Sequence, residues 1–216
     1  CCGSADDVVA AFRAGAHRAE LNCALPAGGL TPSPGALEAA KERADIPVVC
    51  MVRPRAGGFC YSELEFETML RDIRALARVG ADGFAFGCLT QEGTIDRERC
   101  ARLVEAAGDR EAVFHRAFDA LDTPLEEDLE LLISLGVTRI LTSGRRPTAP
   151  EGAGTLRRCV EYAGGRLEIL AGGGVRPWNA RELLEETGCD QLHCTFHRDA
   201  FDRSTARSGM RFNAPA

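Results

Sequence analysis

The sequence predicts an α/β fold, a TIM (β/α)8 barrel forming one domain over residues 1–216, and three observations carry that prediction. Short apolar runs alternate with longer amphipathic segments along the chain. Residues that mark the ends of the apolar runs recur at Glu20, Arg53, Gly87, His115, Ser143 and Gly173, with gaps of 33, 34, 28, 28 and 30, the rhythm of repeated βα units. No G-x-G-x-x-G follows the first run, so the usual mark of an open, doubly wound nucleotide-binding sheet is missing.

The first strand is expected at Cys1-Cys2, cut short before a helix over 4–15 that opens near Ser4. The other strands are AELNC (19–23), VVCMVRP (48–54), GFAFGCLT (83–90), AVFHRA (112–117), RILTSG (139–144), LEILAGGG (167–174) and QLHCTF (191–196). Helices are expected between them at 34–44, 62–79, 96–107, 124–135, 152–163 and 177–187. Ser62 caps ELEFETML, and Pro124 and Pro177 suit first helical turns. Gly80 and Gly136 stand just past helices, where a left-handed residue ends them. The tail after Phe196 carries no pattern for a closing helix, so the barrel's last helix is expected to be truncated or irregular.

Composition narrows the function. With 45% hydrophobic residues, 216 residues can build one sizeable core. A net charge of −6 argues against nucleic acid or a membrane surface as partner. No apolar run reaches spanning length, and no secretory pattern opens the chain. The ten cysteines contain no C-x-x-C pair, and several sit inside apolar runs, which points to a reduced, cytoplasmic protein. Lys41 is the only lysine and lies in a helical pattern, which argues against Schiff-base chemistry.

In such a barrel, chemistry gathers at the C-terminal ends of the strands. Those ends are polar here: Glu20 and Asn22, Arg53, His115 and Arg116 with Asp119 following, Ser143, and His193. VFHRAFD therefore runs out of the core into the barrel mouth. His115 is the expected general acid or base, Glu20 a partner carboxylate, and Arg53 and Arg116 the holders of negative charge. Asp119 would orient Arg116 or His115. The run AGGGVRP offers Gly172, Gly173 and Gly174 as a phosphate cradle, joined by Ser143 and Gly144 from the neighbouring strand. The long loops 24–35 and 53–62 are expected to cover the mouth. The implied partner is a small anionic or phosphorylated metabolite. A second chemistry comes from Cys1, Cys2, Cys23 and Cys194 beside His193, whose thiolates would suit Cu(I).

AGAHRAELNCALPAGGLTPSPG, VRPRAGGFCYS, VFHRAFD, RILTSG and AGGGV together closely resemble the CutC family, named for copper homeostasis, from the first residues to about Arg198. The resemblance implies a TIM barrel, a cytoplasmic location and a link to copper handling. Of the two cysteines the family offers to copper, the first falls on Cys1 and the second on Asn22, with the thiol displaced to Cys23. A one-residue shift turns a strand side chain to the opposite face. The metal expectation is accordingly Cu(I) on Cys1, Cys2 and Cys23. A homo-oligomer is compatible with this reading.

Overall fold

The alternation of apolar runs and amphipathic segments builds seven parallel strands and seven helices in the computed structural model, which describes residues 1–195. The expected closing segment after Phe196 lies outside the described residues. Helix α1 (Ala5–Arg13) precedes strand β1 (Ala19–Leu21), and the pattern repeats through α2 (Pro34–Lys41), β2 (Val48–Met51), α3 (Glu63–Val79) and β3 (Gly83–Phe86). It continues with α4 (Arg97–Ala107), β4 (Glu111–Phe114), α5 (Leu125–Ser134) and β5 (Arg139–Thr142). The last elements are α6 (Ala153–Ala163), β6 (Glu168–Gly172), α7 (Ala180–Thr187) and β7 (Gln191–His193). The strands pair in sequence order, each parallel to the next.

The predicted first strand is reduced to one bridge. Cys2 pairs with Leu21, and the Cys1 nitrogen donates to the Cys194 carbonyl at 2.8 Å. Residues 1–2 thus stand between β1 and the end of β7 in the curled sheet.

Local signals set the helix ends. Ser62 accepts from the Glu65 N–H while the Glu65 carboxylate accepts from Ser62, a capping box that starts α3. Gly80 ends the same helix in the left-handed region, at φ 98°. Helix α7 begins three residues after Pro177, because the Asn179 side chain accepts from Arg176 N–H at 2.8 Å and holds 176–179 as a turn.

Strand alternation separates two cores. Outward residues such as Phe84, Phe86, Phe114 and Ile140 pack beneath the helices with Met69 and Leu103. Inward residues Val49, Met51, Ala85, Val113 and Leu141, with Leu170, fill the barrel. Burying one such Phe contributes roughly 2–3 kcal/mol. Below them, Arg139 is 2% exposed and pairs with Glu111 at 2.7 Å and with Glu168. Arg18 reaches Glu111 at 2.9 Å and Gln191 at 3.4 Å. This polar layer closes the N-terminal end. The same alternation carries Glu20, Asn22, Arg53, His115, Ser143 and His193 to the opposite end, inside the mouth.

Candidate functional site

His115 ends β4 and is 3% exposed. Its Nδ1 accepts from the Ala117 N–H at 3.2 Å, so the neutral ring carries its proton on Nε2. That buried Nε2 has no partner among the described residues. Phe59, from the loop after β2, tilts over the ring at 4.9 Å, and Gly87 faces it from the end of β3. A Cβ at Gly87 would stand 2.7 Å from the imidazole, so only glycine leaves the ring its place. Burial, opposed by Glu20 and aided by Arg53, pushes the imidazole down to about 4. The ring is neutral and its N–H can donate.

Arg53 is 7% exposed and ties the two long loops together. Its Nη1 donates to the Ala27 and Gly29 carbonyls, both at 3.2 Å, and its Nη2 to the Gly57 carbonyl at 2.7 Å. Only Nε remains unpartnered. The expectation that Arg53 clamps substrate charge is therefore narrowed, because most of its donors already serve backbone.

Asp119 changes the reading of the predicted cradle. Its carboxylate accepts from Thr142 Oγ1 at 2.5 Å, from Ser143 N–H at 3.0 Å, from Arg145 N–H at 3.1 Å and from Arg116 Nε at 2.7 Å. Gly144 N–H donates to Thr142 Oγ1 at 2.9 Å. An internal carboxylate thus fills the β5 loop, and Ser143 and Gly144 have no spare N–H for a phosphate. Gly172 lies in β6, where a Cβ would strike Leu141 at 2.5 Å. Gly173 and Gly174 turn the chain at φ 93° and 74°. The N–H groups of Gly174 and Val175 meet no acceptor among the described residues, whereas that of Gly173 turns toward β7, where Gly172 pairs with His193. The Arg116 guanidinium stands beside them, 3.2 Å from where a Gly173 Cβ would lie. A hollow of about 170 Å³ opens there, bounded also by Arg176, His193 and Thr195. These groups together can hold an anion.

The cysteine expectation is corrected. Cys2 is buried in the outer core, and the Cys23 thiol donates to the Thr31 carbonyl at 3.0 Å. Alternation sends neighbouring side chains to opposite faces, so Cys1 enters the mouth without them. Its companions are Glu20 and His193, with one donor atom from each residue within 4.8 Å of the others. His193 Nε2 stands 3.4 Å from Glu20 Oε2, and the Asn22 amide donates to Glu20 at 3.0 Å and to Cys1 Sγ at 3.4 Å. Burial would raise the Glu20 carboxyl, but His193 and Asn22 outweigh it and hold it down at about 2. One thiol, one carboxylate and one imidazole are a poor match to Cu(I), which prefers several soft donors. A cavity of about 960 Å³ leads down the seam from these groups past Val113 and Leu170 to Arg139. Lys41 pairs with Asp82 at 2.7 Å at the N-terminal end, far from the mouth chemistry. Phe59 and the Asn22 hydrogen bonds are the parts that sequence reasoning missed. The only signal was an aromatic residue and an amide in mouth segments.

The CutC family model matches residues 1–198. A protein of Treponema denticola named for family CutC is 51% identical over 193 residues, covering 89% of this chain and 78% of its own. The human copper homeostasis protein cutC homolog is 43% identical over 212 residues, covering 98% of this chain and 75% of its own. A CutC crystal structure from Streptococcus agalactiae superposes with a TM-score of 0.82 at 35% identity, covering 89% of this chain and 95% of that one.

Proposed function

The chain belongs to the CutC family, and from that premise we propose that its barrel mouth binds and transforms a small phosphorylated metabolite, with the neutral His115 Nε2–H as the donor that polarises the substrate oxygen. The single observation that carries this reading is the buried, neutral His115 with an unpartnered Nε2. Leaving such a donor unpaired costs roughly 1–3 kcal/mol. A substrate hydroxyl or carbonyl accepting from Nε2 recovers it. In this reading the phosphate lies against the N–H groups of Gly174 and Val175 and the Arg116 guanidinium. Glu20 is the partner carboxylate, and Asp119 keeps Arg116 in place through the 2.7 Å contact with its Nε. Arg53 shapes the loops that cover the site. The test is a thermal-shift panel of inorganic phosphate and phosphorylated sugars. Arg116→Ala should remove stabilisation by inorganic phosphate, whereas His115→Gln should spare it and remove turnover of any substrate found. Unchanged phosphate binding in Arg116→Ala would refute the anion site.

The second reading is Cu(I) handling in the cytoplasm, supported by the name of the human relative and by the Cys1 thiol beside His193. Ten unpaired cysteines accord with a reducing compartment. An anaerobic Cu(I) titration against a competing chelator tests it. Stoichiometric binding lost in Cys1→Ser would favour copper.

A further inference from the structure

We propose that Cys1, Glu20 and His193 form an open three-ligand site for a borderline divalent ion, with Zn2+ as the probe, rather than a Cu(I) site. This inference is independent of the phosphate reading and stands against the copper one. Its starting point is the donor set: one sulfur, one carboxylate oxygen and one imidazole nitrogen within 4.8 Å of one another. Zn2+ accepts all three donor types, whereas Cu(I) selects soft sulfur and has one thiol here. Donors around a tetrahedral Zn2+ stand roughly 3–4 Å apart, as bond lengths of about 2.0–2.3 Å require. The 3.4 Å separation of His193 Nε2 and Glu20 Oε2 already falls in that range.

Three further observations point to a ligand. No lysine or arginine pairs with the enclosed Glu20 carboxylate among the described residues, and its only ion-pair partner is His193. The buried His193 Nε2 approaches Glu20 but makes no aligned hydrogen bond. Asn22 donates to both Cys1 Sγ and Glu20 Oε1, which aims two of the three donors from one side, as supporting groups around metal ligands do. His193 also borders the 170 Å³ hollow at Gly173–Val175. All three donors line the cavity of about 960 Å³, so three protein ligands there would leave room for water or another ligand from the cavity side. Binding displaces the Cys1 thiol proton to solvent, so affinity should rise with pH.

The test uses the reduced full chain in phosphate-free buffer, titrated with Co2+ as a spectroscopic probe and then with Zn2+. The expected result is one equivalent of Co2+, a sulfur-to-cobalt charge-transfer band, and its loss when Zn2+ is added. Cys1→Ser should abolish the band, and His193→Ala and Glu20→Gln should each weaken Zn2+ binding about tenfold or more. Cys2→Ser and Cys23→Ser should leave it unchanged. Asn22→Cys, which adds a second thiol, should raise Cu(I) affinity relative to Zn2+. A band that survives Cys1→Ser, or wild-type protein that holds Cu(I) while failing to compete for Zn2+, would overturn the proposal. Because no phosphate is present, the outcome is separate from that of the anion-binding test.

Discussion

The His115 imidazole has an ordinary value of 6.5 and is pushed down to about 4 by burial in the folded barrel. Between those values the unfolded chain binds more protons than the folded one. Its contribution to stability is complete above the unfolded value and is lost as pH falls toward the folded one. The size is at most about 3 kcal/mol. Urea unfolding at pH 7 and pH 4.5 should show a drop that is smaller in His115→Gln by most of that amount, and parallel losses in both proteins would disprove the assignment. Arg139 poses the opposite case, a buried cation that stays charged. It bridges Glu111 and Glu168 while 2% exposed, so Arg139→Ala leaves a cavity and two under-neutralised carboxylates. Roughly 3 kcal/mol should be lost. Because Glu168 is half exposed and can rehydrate, Arg139→Met should cost less than Arg139→Ala in the same measurement.

Among the elements, the two loops over the mouth depend on one side chain. Arg53 joins the carbonyls of Ala27 and Gly29 to that of Gly57, and its guanidinium lies 5.4 Å from the Phe59 ring centroid. Lysine cannot reproduce this fork, so Arg53→Lys should speed proteolysis at both 24–35 and 53–62 while leaving α3 protected. Cleavage confined to one loop would contradict the shared anchor. The strands and helices around these loops were legible because their period of 2 or 3.6 is written in consecutive residues. Arg53 was legible as a mouth residue, but its partners were not, because they lie up to 26 positions away. The same limit hid the loop partners of Asp119, whose carboxylate reaches across to Thr142, Ser143 and Arg145 and occupies the loop that composition offered to a phosphate. The cysteine set failed for another reason. Alternation says that Cys1 and Cys2 cannot share a face, but the face that points inward depends on the register with β1, set here by the Cys2–Leu21 bridge.

At the scale of the whole molecule, the two ends of the strand order meet at a seam between β1 and β7. The middle of the sheet, β3 to β5, has Phe84, Phe86, Phe114 and Ile140 sealed beneath the helices and Ala85, Val113 and Leu141 sealed inside. Among the described residues, the seam between β1 and β7 carries the Cys2–Leu21 bridge, the Cys1–Cys194 hydrogen bond and the 3.4 Å reach of Arg18 to Gln191. The cavity of about 960 Å³ follows this seam, bounded by α1 residues and by Leu184 of α7. Hydrogen exchange followed by mass spectrometry reads the amides of β1 and β7 against those of β3, β4 and β5. Cys1, Glu20 and His193 all stand on the seam. An ion bound by them would tie the two edges together and slow exchange there by the linkage between binding and opening. Saturating Zn2+ should accordingly protect β1 and β7 selectively. Exchange in β1 and β7 that Zn2+ leaves unchanged would remove the metal from the seam.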